Sequence, residues 1–111
     1  MSETLVTQII REAMSLVADP GSWVEFDLAT TAEGESCEPW DPQAARFCAF
    51  GSLIKAAYGI SSDGDLAMRF AQTAAAAMLG CGGNPERLFE INDGEGREAV
   101  LELFEQTLAR W

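Results

Sequence analysis

Residues 41–59 read Asp-Pro-Gln-Ala-Ala-Arg-Phe-Cys-Ala-Phe-Gly-Ser-Leu-Ile-Lys-Ala-Ala-Tyr-Gly, and this stretch sets the fold class. Asp41 is a good N-cap and Pro42 suits a first helical position, so a helix is predicted from Gln43 to Tyr58, stopping before Gly59. Phe47, Cys48, Phe50, Leu53, Ile54, Ala57 and Tyr58 cover most of its circumference, leaving Gln43, Arg46, Ser52 and Lys55 polar. A helix apolar nearly all round is buried on several sides, which makes this one the expected centre of the molecule. Gly51 in its interior costs roughly 1 kcal/mol against alanine. Ala44, Cys48, Ser52 and Ala56 add a small-residue row, so close approach of a neighbouring helix is the expected compensation.

That neighbour is the next apolar segment. It opens at Ser61, Ser62 or Asp63, runs to Leu79 before Gly80, and includes the alanines 74–77. Upstream, Leu5, Ile9, Ala13, Leu16 and Val17 recur at helical spacing and predict an amphipathic helix from Glu3 to Ala18, ended by Asp19-Pro20-Gly21. Residues 22–39 are irregular. Trp23 to Leu28 alternates roughly with period two and Ala32-Glu33-Gly34-Glu35 reads as a turn, so either a short β-hairpin or a pinned loop follows the first helix. Trp23 and Trp40 bracket it as anchors. Downstream, Cys81-Gly82-Gly83-Asn84 reads as a flexible connector. Pro85 to Phe89 reads as a short helical turn, and Asn92-Asp93-Gly94-Glu95-Gly96 as a break. A final helix then runs from Arg97 to Arg110 with Leu101, Phe104, Leu108 and Trp111 as its buried stripe. The expected fold is mainly α, a compact bundle of about four helices with a short β-hairpin or ordered loop after the first. A chain of 111 residues is expected to be one domain.

Charge is the most informative feature beyond this framework. Eight carboxylates (Glu12, Asp19, Glu25, Asp27, Glu33, Glu35, Glu38 and Asp41) precede Arg46 with no basic residue between Glu12 and it. A second acidic cluster spans residues 86–105, where only Arg87 and Arg97 interrupt seven acids. The net charge is −11 and 48% of residues are apolar, so the acidity belongs to a folding chain rather than a disordered tail. Seven scattered Lys and Arg are too few to neutralise a phosphate backbone, which argues against direct nucleic-acid binding. There is no apolar run near 18 residues for a membrane span, and Met1-Ser2-Glu3-Thr4-Leu5 lacks a basic n-region, so the expectation is cytoplasmic.

Motifs for chemistry are missing. Cys37, Cys48 and Cys81 are widely spaced and no histidine exists, so separate reduced thiols are expected in place of a zinc site. Cys48, between Phe47 and Phe50, reads as a buried structural thiol rather than a nucleophile. Calcium-loop spacing fails, because Gly96 at position six puts Ile91 at position one, and Gly64 there puts Gly59 at position one. Gly80-Cys81-Gly82-Gly83 lacks the Gly-Lys-Ser/Thr ending of a phosphate loop. Carboxylate pairs are everywhere and none stands out. No catalytic residue, metal or cofactor is therefore assigned, and the chain reads as a non-enzyme.

The landmarks Trp23, Asp41-Pro42, Ala45, Phe47-Cys48, Gly51, Leu53, Asn92-Asp93, Arg97 and Val100-Leu101 resemble the pattern of an uncharacterised family of small bacterial and phage proteins. Ser52 and Ile91 depart from it, where that family tends to alanine and tryptophan. The resemblance implies no known activity, and suggests phage or mobile-element circles.

Two uses of the acidity compete: a solvated face that keeps the chain soluble, and a docking face for a basic protein surface. The leading expectation is a non-enzymatic interaction module. Its carboxylates at Glu25, Asp27, Glu33, Glu35 and Glu38, with Trp23 or Trp40 as hot spot, would occupy the basic surface of a partner, as inhibitors that mimic DNA charge do. Asp41, Asn92, Asp93 and Arg97 are expected to form a structural polar cluster, with Asn92-Asp93 capping the last helix and Arg97 pairing to Asp93 or Asp41. The alternatives are a homo-oligomeric accessory protein, such as a homodimer through its apolar helix faces, and a small-ligand site among Trp23, Trp40, Asp41, Asn92 and Asp93.

Overall fold

A computed structural model describes residues 2–78 and 85–110. Leu79, Gly80, the Cys81-Gly82-Gly83-Asn84 connector and Trp111 lie outside the described residues. Helix α1 (Ser2–Val17) forms where its periodicity predicts, burying Val6, Ile9, Ile10, Ala13 and Val17. A single 3-10 turn, Pro20–Ser22, follows, with the Asp19 carboxylate accepting from the Gly21 amide at 3.0 Å.

A short antiparallel hairpin follows, as one reading of the sequence has it, but it is built from other residues. Trp23 to Leu28 is not a regular strand. The first strand is β1 (Ala29–Thr31), and it pairs antiparallel with β2 (Ala44–Phe47), Ala29 opposite Phe47 and Thr30 opposite Arg46. The register slips between Thr30 and Thr31, which pairs Thr31 with Ala44 and leaves Ala45 as the bulged residue. Trp23 flanks the other edge of β2 through a parallel bridge to Phe47, and the Val24 amide donates to the Phe47 carbonyl at 3.1 Å.

Residues 44–47 are therefore strand where a helix is predicted. Asp41-Pro42 opens a turn: the Asp41 side chain accepts from the Gln43 amide at 2.8 Å, and its carbonyl from the Ala44 amide at 2.9 Å. Asp followed by Pro starts type I turns as readily as helices, and the extended neighbours on both sides of β2 override the helical propensity of its alanines. Helix α2 (Ala49–Ser61) starts later, capped by Cys48, whose Sγ accepts from the Gly51 amide at 3.2 Å. It runs through Gly59 to Ser61 and buries Phe50, Leu53, Ile54 and the small residues Ala49, Gly51, Ser52, Ala56 and Ala57. The expectation that this helix is central holds, since it packs on α1, on α3 (Gly64–Ala77) and on α4 (Pro85–Glu95).

Helix α3 is capped by Asp63, which accepts from the Leu66 amide at 3.0 Å. It buries one stripe, Ala67, Ala71, Ala74 and Ala75, not several faces. Helix α4 runs straight through Asn92-Asp93-Gly94, where a break is predicted. Only Gly96, at φ 96°, interrupts it before α5 (Arg97–Ala109). Helix α5 buries Val100, Leu103, Phe104 and Thr107 against α1 and α4. Leu101 and Leu108, expected in that stripe, are only partly buried. The described residues thus form five helices, α2 the central one, and a two-stranded ribbon, a mainly α fold. None of these helices is long and apolar enough to cross a membrane.

Candidate functional site

Asn92 is the junction from which the site is built. Fully buried on α4, it uses its whole amide. Its Oδ1 accepts from the Trp23 indole Nε1 at 2.7 Å and the Ala49 amide at 2.9 Å, while its Nδ2 donates to the Val24 carbonyl at 3.1 Å and to Asp93 Oδ1 at 2.9 Å. An Asn amide offers two acceptor sites and two donors, so all four are satisfied. One side chain thereby ties the irregular 23–26 segment, the start of α2 and the middle of α4 together.

Asp93 extends the same clamp outward. Its Oδ1 also accepts from the Phe26 amide at 2.9 Å. Phe26 is held at φ 66°, a region that bulky residues rarely occupy, and the residue is 75% exposed. Beside it lies an open groove of about 450 Å³ lined by Phe26, Asp27, Leu28, Phe89 and Asp93. Glu86, Glu90 and Gly94 continue the groove along α4. Glu86, Phe89, Glu90 and Asp93 fall at helical spacing, so one face of α4 supplies this wall. Phe89 is fixed from behind by an edge-on contact with Phe50, ring centroids 5.6 Å apart.

One carboxylate of the first acidic cluster, Asp27, meets Glu86, Glu90 and Asp93 of the second along this groove. Asp27 accepts from the Ser36 hydroxyl at 2.7 Å, and Asp93 from Phe26 and Asn92, all neutral donors that leave the negative charge in place. Among the described residues one ion pair forms, Arg87 to Glu90 at 3.4 Å, and it is solvent-exposed. Such pairs are worth at most about 1 kcal/mol.

The other expected site residues are dispersed. Glu25 is exposed next to Phe26, while Glu33, Glu35 and Glu38 are exposed on the β1–β2 connection and none of them lines the groove. Trp23 does anchor its segment, with its indole N–H committed to Asn92. Trp40 goes elsewhere: it stacks on Tyr58 at 5.8 Å and lies against Gly64 at the start of α3. The expected polar cluster is thus halved. Asn92 and Asp93 join Trp23 and do not cap α5. Asp41 serves its own turn, and Arg97 Nη1 donates to the Ala18 carbonyl at 2.7 Å, pinning α5 to the end of α1. The residues that the sequence missed are Phe26 and Phe89. Period-two alternation hid the first in an imagined strand, although an aromatic between two acids, Glu25-Phe26-Asp27, is an available signal.

Residues 1–110 match the family of unknown function DUF6197. The chain belongs to this family. No curated protein and no solved structure matches it. Several residues that carry the resemblance converge on the clamp: Asn92 binds Trp23 and caps α2 beside Cys48, while Gly51 lies on the backbone of Leu28. Their shared work is to build the platform on which Phe26 is displayed.

The thiols follow their surroundings. Burial pushes Cys48 up to about 11 from its ordinary 9.0, with the Asp93 carboxylate adding to the effect against its backbone hydrogen bonds. Cys37 is also raised, by desolvation and then by Asp41, Asp27 and Glu38. Cys48, 1% exposed, should resist labelling by a thiol-specific disulfide reagent at pH 8 until the chain is unfolded. Because its folded pKa lies above the unfolded one, its contribution to stability is complete below about pH 9 and is lost as pH rises toward 11. Urea melts at pH 8.5 and 10.5 should therefore differ more in the native chain than in Cys48→Ala. Equal differences would show that the thiol does not titrate in this way.

Proposed function

We propose that this protein is a non-enzymatic interaction module whose acidic surface engages a basic protein partner. The observation that carries the reading is an exposed aromatic ring, Phe26, in a groove where Asp27 meets carboxylates of α4 that are distant in sequence. An aromatic at the centre of a charged rim is the usual anatomy of a protein-binding hot spot. Exposed carboxylates in net excess over cations raise the encounter rate with a basic surface and discriminate against acidic ones. In its finer form, the module blocks a surface that the partner uses for nucleic acid, its carboxylates standing where phosphates would lie. The phage or mobile-element setting implied by the resemblance belongs to this finer form.

Affinity capture from a host lysate at low and high salt tests the reading. A basic partner should be retained near 0.1 M salt, where the screening length is about 10 Å, and released near 1 M, where it is about 3 Å. A partner held equally at both salts overturns the electrostatic reading. Competition by duplex DNA for the captured partner separates the finer form from the coarser one.

A further inference from the structure

We propose that the groove between Phe26 and Phe89 receives a short basic segment of the partner in which Lys or Arg alternates with apolar side chains. This rests on the acidic-docking reading and assigns its centre. Three features select such an occupant. First, the groove has aromatic walls, with Phe26 exposed and Phe89 braced by Phe50, so it offers apolar contact. Second, its rim is acidic at Asp27 and Asp93, whose hydrogen bonds come from neutral groups, and at Glu90, whose exposed pairing with Arg87 is weak. A lysine or arginine stem lies well along an aromatic ring while its charged head reaches a carboxylate. A purely apolar segment would leave that rim without counter-charges, and a purely charged one would offer the rings only its stems and crowd more cations than the rim can pair. Third, the wall is set in advance. Phe26 stays at φ 66° because Asp93 and Asn92 hold the backbone around it, so little ordering remains to be done on binding. Left-handed geometry costs a non-glycine residue roughly 1–2 kcal/mol, and the exposed ring gains no burial in return.

The test uses the full-length chain and two synthetic hexapeptides of equal charge, one alternating Lys and Leu, the other Lys and Ser, titrated while backbone amide shifts are followed by NMR. The Lys-Leu peptide should shift the amides of Phe26, Phe89 and Asp93 and bind more tightly than the Lys-Ser peptide. Phe26→Gly should weaken its binding about tenfold without lowering the thermal midpoint, since glycine accepts the left-handed backbone. Equal binding of both peptides, unaffected by Phe26→Gly, overturns the groove assignment and leaves the acidic-surface reading standing. Shifts confined to residues 33–38 relocate the docking centre and also overturn it. Concentration-dependent shifts of the groove amides without peptide would mean a second copy of the chain occupies the groove, and failure of both peptides to bind removes the proposal. In that last case, salt-sensitive capture from lysate still judges the broader reading on its own.

Discussion

Replacing Asn92 with alanine should destabilise the protein by about 3–5 kcal/mol, among the larger effects a single substitution produces. The estimate follows from what the amide leaves behind. The Ala49 amide is one of the donors at the start of α2 without a partner inside its own helix, and the Trp23 indole N–H points into a part-buried junction. Each buried donor left without a partner costs about 1–3 kcal/mol, and the Val24 carbonyl loses its donor as well. Urea denaturation would measure the loss, and a value under about 1 kcal/mol would show that water replaces the amide at no cost. Asn92→Asp separates the acceptor role from the donor role. It keeps an acceptor for Trp23 and Ala49 but puts a buried charge beside Asp93 and removes the donor to Val24. Burial and the neighbouring carboxylate raise the folded pKa of the introduced acid, so the folded state binds the extra proton. The variant should then gain stability as pH falls from 7 toward 5, a direction that Asn92→Ala should not share.

This junction also explains which parts of the molecule were legible in its sequence. Features with a local cause could be read. The apolar spacing of α1, the opening of α3 within Ser61 to Asp63, the buried thiol of Cys48 and the one-sided charge all follow from near neighbours. Features that depend on distant partners could not. Trp23 and Asn92 are 69 residues apart, and nothing in the chain shows that they share a hydrogen bond. Asn92-Asp93-Gly94 has the composition of a turn, yet it stays helical because Asn92 and Asp93 find partners on other segments. Cys48 is not among the residues preferred as a helix cap. Local signals therefore place the start of α2 at Asp41 and merge the strand before it into the helix. Phe26 illustrates the same limit for the candidate site. Its neighbours suggest alternation, whereas its exposure comes from a backbone held by Asp93 from across the fold.

Gly51 is the case in which the sequence identified the need but the wrong neighbour. Close approach is real, but what approaches is the backbone of Leu28, not α3. A Cβ added at Gly51 would sit 1.9 Å from the Leu28 carbonyl oxygen and 2.8 Å from its carbon. That carbonyl already accepts from the Cys48 amide at 3.2 Å, so it cannot retreat without loosening the entry to α2. Two effects then oppose each other in Gly51→Ala. Helix propensity favours alanine by about 1 kcal/mol, while overpacking costs about 1–3 kcal/mol or more and a strained backbone hydrogen bond adds about 1. Clash with backbone should win, because no rotamer change relieves it, and a net loss of about 1–3 kcal/mol is expected. Gly59, on the same helix, supplies the control. It is exposed, with no atom within 4 Å of an added Cβ, so Gly59→Ala should stabilise by about 0.5–1 kcal/mol. The same substitution, eight positions along one helix, should thus carry opposite signs in paired denaturation curves. If both variants gain stability, the contact between Gly51 and Leu28 is looser than the structure has it, and the 23–28 segment that displays Phe26 is not held as tightly as the proposed docking site requires.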